Sequence, residues 1–149
     1  MIEKSNIDLA NFKVIISHKD TGRSLVRELK DRDAQVMVGM SIGDELDSSV
    51  LGFEGGRVKI TGGSDKAGFP MRRDIMGGVK AYVLLTEGVG FRSGKKGEKQ
   101  RRLVRGSIIT EEIYQVNAVL TKGDFGELGK ENKSKEGENR EVAQDTPSA

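Results

Sequence analysis

Cysteine is absent from the chain, which excludes a disulfide framework, a thiolate zinc site and a cysteine nucleophile. Histidine occurs once, at His18, too few for a metal cluster built on that residue type. Aromatic residues make up 5% and hydrophobic residues 35%, so not all of the 149 residues can be buried. No apolar run approaches the roughly 20 residues that a membrane-crossing helix needs, and no secretory pattern heads the sequence. The expectation is a cytoplasmic protein with no membrane partner, no metal and no cofactor. The length fits one domain plus a tail, since domains run roughly 100–200 residues.

What the chain does have is sorted charge. The net charge is only +2. Residues 1–56 carry −3, residues 57–106 carry +9 and residues 107–149 carry −4. A strongly basic middle between mildly acidic ends is a local electrostatic footprint, and nucleic acid is the commonest partner for one.

Two stretches hold most of that charge. The first, ITGGSDKAGFPMRR at residues 60–73, sets Asp65, Lys66, Pro70, Arg72 and Arg73 among Gly62, Gly63 and Gly68. Pro70 fixes its own φ and biases Phe69 toward an extended conformation. Asp65 can close a turn by accepting a bond from a backbone N–H two residues on. The expected result is a stiff loop, leaving the sheet after Thr61, with Lys66, Arg72 and Arg73 offered to phosphate oxygens. The plainer reading is a corner whose charges are simply solvated.

The second stretch, FRSGKKGEKQRRLVRG at residues 91–106, holds seven Lys or Arg against one Glu. The basic residues are Arg92, Lys95, Lys96, Lys99, Arg101, Arg102 and Arg105. Gly94 and Gly97 loosen its middle, so it reads as a hairpin or long loop that gains order on RNA. Phe91 at its base is expected in the core. Charge runs are usually solvated faces. Single-sign density is self-repulsive, however, which favours binding here.

Strand signals dominate the rest. Residues 12–17 and 24–29 flank HKDTG as a β-hairpin. Residues 35–40 read as a short strand, and GDELDSSVLG holds one or two helical turns behind a weak Ser41–Asp44 capping pattern. RVKIT, residues 79–86, 103–110 and 113–121 read as further strands, the last two paired through Glu111 and Glu112. No window of 11 or more residues has helical periodicity. The fold class expected is all-β: a small antiparallel β-barrel with long basic loops and at most one short helix. Residues 1–11 are a lead-in, residues 12–121 the barrel, and residues 122–149 an acidic tail with the composition of disorder.

No enzyme constellation emerges. Gly63 and Gly68 have P-loop spacing, but Phe69 stands where the lysine belongs. Gly88, Gly90 and Gly94 miss the dinucleotide fingerprint by one residue. Asp44, Glu45 and Asp47 read as a solvated acidic face, His18 as a turn residue, and Ser64 and Ser93 lack an evident base. No catalytic residue and no small-molecule substrate are expected.

The two stretches together resemble the small-subunit ribosomal protein S-six family of the archaeal and eukaryotic type. Gly62, Gly63, Asp65, Lys66, Gly68, Phe69, Pro70 and Met71 match its GG-x-D-K-x-GFPM signature. Lys95, Gly97, Glu98, Arg101, Val104, Arg105 and Gly106 match its later basic segment ending in VRG. The likeness covers residues 12–121, in a short form that looks archaeal. It implies a non-catalytic β-barrel-like protein of the small ribosomal subunit, with ribosomal RNA and neighbouring ribosomal proteins as partners. RNA contact is carried over only to the basic residues of the two stretches. The family's eukaryotic members carry a basic helical extension with phosphorylatable serines. The acidic tail here departs from that, so tail phosphorylation is not carried over. The other reading of the chain is a free β-barrel module that binds a protein through the acidic surface around Asp44, Glu45 and Asp47 and the tail.

Overall fold

Strand β1, Phe12–His18, puts Phe12, Val14 and Ile16 on one buried face, as alternation demands. It forms an antiparallel hairpin with β2, Ser24–Leu29, in the register Phe12↔Leu29 to Ser17↔Ser24. In this computed structural model residues 10–92, 94–123 and 125 are described. The expectations for residues 1–9 and 126–149 lie outside them.

The chain then departs from the expected strand at residues 35–40. Residues Asp31–Met37 form an α-helix, α1, that buries Ala34 and Met37. Those two lie three positions apart on one helical face, and Asp31 and Asp33 in the first turn suit the positive end of the helix dipole. Seven residues are too few to show a 3.6-residue period in a sequence window.

Strand β3, Glu45–Asp47, leads into a 3-10 turn, Ser48–Leu51. Strand β4 spans Arg57–Asp65 and so carries the glycine pair inside the sheet, where the sequence reading had the chain leave at Gly62. Register shifts mark β4 between Ile60 and Gly62 and between Ser64 and Asp65, consistent with bulges at its glycine end. Strands β5, Lys80–Leu85, and β6, Gln100–Arg105, pair only with each other. Strand β7, Ile113–Lys122, closes the series.

Five strands make one sheet in the order β2-β1-β7-β4-β3. The last strand is central, parallel to β1 and antiparallel to β4. The described residues are all-β in character, with one short α-helix. Two details of the expected barrel are corrected. β2 and β3 are edges of an open sheet, so the barrel does not close, and the β1–β7 pair makes the sheet mixed rather than antiparallel.

The expected pairing of β6 with β7 through Glu111 and Glu112 is also corrected. Between them, residues 107–109 run alongside two other segments, Ser107 N–H donating to Ile75 O at 2.8 Å and Ile109 N–H to Met40 O at 2.8 Å. That detour consumes the residues a hairpin turn would have used and releases β7 into the middle of the main sheet. The main core gathers Val14, Ile16, Val58, Ile60, Ile109, Ile113 and Val116 under α1 and the 3-10 turn. A separate small core of Leu85, Phe91 and Val104 supports the β5–β6 ribbon.

Candidate nucleic-acid interface

The turn at the end of β4 is built by Asp65. Its backbone N–H donates to Phe69 O at 3.0 Å, and the Gly68 N–H donates to Asp65 O at 3.0 Å. Gly68 has φ +91, a left-handed conformation that glycine takes without strain. The Asp65 carboxylate accepts the Phe69 N–H at 2.8 Å, four residues on rather than the expected two. Met71 N–H then donates to Gly63 O at 2.9 Å, so the loop is a short hairpin laid back on β4.

The same carboxylate reaches across to the second stretch. Asp65 is 3% exposed, and its Oδ2 accepts the Arg105 Nε–H at 3.1 Å, with Lys80 Nζ at 3.6 Å. Arg105 is itself only 7% exposed and also donates to Glu112. Its backbone is held as well, N–H to Pro70 O at 2.8 Å, while Arg72 N–H donates to Arg105 O at 2.9 Å. Lys80 Nζ lies 4.4 Å from the Phe69 ring centroid, a cation–π distance.

Burial pushes the Asp65 carboxyl up. The Phe69 N–H, the Arg105 hydrogen bond and the charges of Lys80 and Arg105 outweigh it and hold the carboxyl below its ordinary value. Burial pushes the Arg105 guanidinium down, and its bonds and charge pairing with Glu112 and Asp65 override that and raise it. The Arg105 hydrogen bond lowers the Glu112 carboxyl. All three groups are therefore charged at neutral pH.

Around this cluster the expected site residues divide. Lys66 and Arg73 are exposed on and just after the turn. Arg92, Lys95, Lys96 and Lys99 are exposed along the connection between β5 and β6, and Arg101 and Arg102 on β6 itself. Arg102 lies over the buried Phe91 ring at 5.5 Å, which anchors its stem while its surface stays open.

Two residues are turned to internal duty. Arg105 faces two carboxylates. Arg72, with a side chain only 15% exposed, donates to Val89 O at 2.6 Å and to Asp74 at 2.6 Å. Neither guanidinium is presented to a phosphate, so the phosphate-contact role expected for them is replaced by a structural one.

Lys80 and Glu112 were missed in the sequence. Lys80 opens a strand far from either motif, and Glu112 stood in a presumed hairpin turn. The acidic surface of the alternative reading is partly occupied: Asp44 accepts the Ser41 N–H at 2.8 Å, and Glu45 pairs with Arg57 at 3.6 Å. His18 is structural as expected. Its Nδ1 accepts the Thr21 N–H at 3.1 Å, which leaves Nε2–H to donate to Gly123 O at 3.3 Å. Among the described residues, no helix is long and apolar enough to cross a membrane.

An open β-sheet, a stiff turn and a basic two-stranded ribbon, bolted together by one ion-pair cluster, define a β-rich module of the polyanion-handling class. Comparison with known sequences makes this particular. The profile of the family described as ribosomal protein S6e matches residues 12–130. A protein of Nitrosopumilus maritimus named small ribosomal subunit protein eS6 is 52% identical over 110 residues, covering 73% of this chain and 78% of that protein. Its namesake in Methanoculleus marisnigri is 46% identical over 114 residues, 76% of this chain and 86% of the relative. Another, in Methanococcus maripaludis, is 41% identical over 125 residues, 84% of this chain and 98% of the relative. The chain belongs to the ribosomal protein S6e family. The family expected from the two motifs is thus the family found.

Proposed function

We propose that this chain is a structural, non-catalytic constituent of the small ribosomal subunit, acting in the cytoplasm at the ribosome and supporting translation. Residues 12–121 form its ribosomal-RNA-binding unit, and neighbouring ribosomal proteins pack around it. The observation that carries this reading is the display of the +9 segment. Its exposed cations lie on two elements, the turn with Lys66 and Arg73 and the ribbon with Arg92 to Arg102, and both are fixed to the single Asp65–Arg105 cluster. A cationic surface with a fixed origin neutralises phosphates and lets RNA helices approach one another. Family membership and the names of the relatives support the small subunit as its place.

Sedimentation of a cell lysate through a high-salt sucrose gradient tests this directly. Co-migration with small subunits and intact ribosomes is the expected result, and recovery only at the top of the gradient overturns it. With about six phosphates met, the affinity for RNA should fall with a log–log salt slope of about −4 to −5.

A further inference from the structure

The ribbon has a face that charge neutralisation does not use. Successive side chains of a strand point to opposite sides, so Lys80, Tyr82 and Leu84 of β5 share one face. Their cross-strand partners are Arg105, Leu103 and Arg101 of β6. The opposite face carries Leu85 and Val104 into the small core with Phe91. At the Lys80–Arg105 end the outer face is closed by the ion-pair cluster. Beyond that end it is open: Tyr82 is 68% exposed and Leu84 is 59% exposed.

We infer that this outer face, centred on Tyr82 and Leu84 and edged by Arg101, is a stacking platform for unpaired RNA bases. The inference rests on the RNA-binding reading above and deepens it. Charge decides the occupant. Neither strand of the ribbon contains an acidic residue, and β6 alone carries three arginines. A neutral apolar protein surface gains nothing from such a rim. A single strand of RNA offers both required parts, a flat base for the tyrosine ring and a phosphate for the neighbouring cation. Leu84 beside the ring widens the apolar floor, and Leu103 opposite Tyr82 fixes the ring's footing.

The test uses the full chain and two fluorescently labelled RNA probes: a twelve-nucleotide oligouridine and a twelve-base-pair duplex. Anisotropy titrations at several KCl concentrations give affinity and salt slope for wild type, Tyr82→Ala, Tyr82→Phe and the double variant Arg101→Ala, Arg102→Ala. Tyr82→Ala should weaken oligouridine binding by about fivefold to a hundredfold, as for loss of one base stack. It should leave the salt slope and the duplex affinity unchanged. Tyr82→Phe should restore binding, since the ring rather than the hydroxyl stacks. The double arginine variant should flatten the slope for both probes.

Wild-type oligouridine affinity in Tyr82→Ala, with a flattened slope in the arginine variant, overturns the stacking inference and leaves RNA binding standing. Failure of the wild type to bind either probe overturns both. Unchanged oligouridine affinity with poor incorporation of Tyr82→Ala into small subunits assigns the face to a protein partner and likewise overturns the inference. The exposure of Tyr82 makes misfolding an unneeded explanation, and circular dichroism of each variant checks it.

Discussion

Arg105 Nε lies 3.1 Å from Asp65 Oδ2, a charge-assisted bond across forty residues of sequence that locks the turn after β4 to the end of the β5–β6 ribbon. The two stretches that stand apart in the sequence are thereby one structural unit. Asp65 and Arg105 do not themselves present charge to a partner. They set the angle from which the exposed cations are presented, with Glu112 and Lys80 completing the balance of charge. An ordered cationic surface loses less entropy on binding than a floppy one.

Removing Arg105 should therefore be a stability lesion first. Arg105→Ala leaves Asp65 buried with only Lys80 for compensation, and breaking a buried pair from one side typically costs about 3–5 kcal/mol. Thermal unfolding should show a large drop in Tm. Arg105→Lys keeps the charge but loses the fork that reaches Asp65 and Glu112 together, so its Tm should fall between the two. A near-wild-type Tm for Arg105→Ala would remove the cluster from any central role.

The exposed ribbon arginines should behave in the opposite way. Arg101→Ala with Arg102→Ala should change Tm little, because both side chains are solvent-facing. The salt slope of RNA binding should become shallower by up to about 2, near one per lost phosphate contact. Treating Arg105 as a third member of this set, as its place in the basic run invites, would mix a folding defect into a binding measurement.

Acid should weaken the fold through the same cluster. The carboxyls of Asp65 and Glu112 lie below their ordinary values in the folded chain. Between the ordinary value near 4 and the depressed one, the unfolded chain binds more protons, so stability rises with pH. The contribution is complete above the unfolded value and is lost as pH falls through the folded one. Most of the effect belongs to Asp65, since Glu112 is exposed and screened by solvent. Melting curves from pH 6 to pH 2.5 should show a decline below about pH 4, and Asp65→Asn should start lower at neutral pH and decline less steeply. Parallel declines in the two proteins would count against the assignment.

Local patterns were legible in the sequence, and long-range pairings were not. The β1–β2 hairpin and the strand at residues 113–122 follow from alternation, which any reader of the chain can see. Helix α1 was missed because two buried positions, Ala34 and Met37, cannot establish a period. The placement of β7 between β1 and β4 depends on where residues 107–109 are held by Met40 and Ile75, and no local composition encodes that. Of the candidate site, the basic residues were evident as types. The inward turn of Arg72 and Arg105 was not, because charge density is a property of the sequence and the direction of a side chain is a property of the fold. Membership in the S6e family was readable because its motif is dense in Gly, Pro and Asp. Much of that density now has local causes: Gly68 takes a left-handed φ, Asp65 bonds the turn, and Gly106 is enclosed by backbone.

Gly106, the final residue of the second motif, gives the sharpest test of that last point. A Cβ placed there would lie 1.9 Å from the carbonyl oxygen of Gly77 and 3.4 Å from the nitrogen of Val79. The obstacle is backbone, which cannot swing aside as a side-chain tip can. Gly106 N–H also donates to Val79 O at 2.8 Å, so relief by local movement would break the link between the segment after β6 and the start of β5. Gly106→Ala should therefore lower Tm strongly, by at least the roughly 1–3 kcal/mol typical of overpacking. Gly62, in the first motif, has open space where a Cβ would go. Gly62→Ala should thus change stability little, and any loss of RNA affinity it causes would mark a place where the partner's backbone approaches. Comparing the two variants by Tm and by RNA titration separates a glycine required for folding from one kept for contact. Equal tolerance of alanine at both positions would refute the close approach at Gly106.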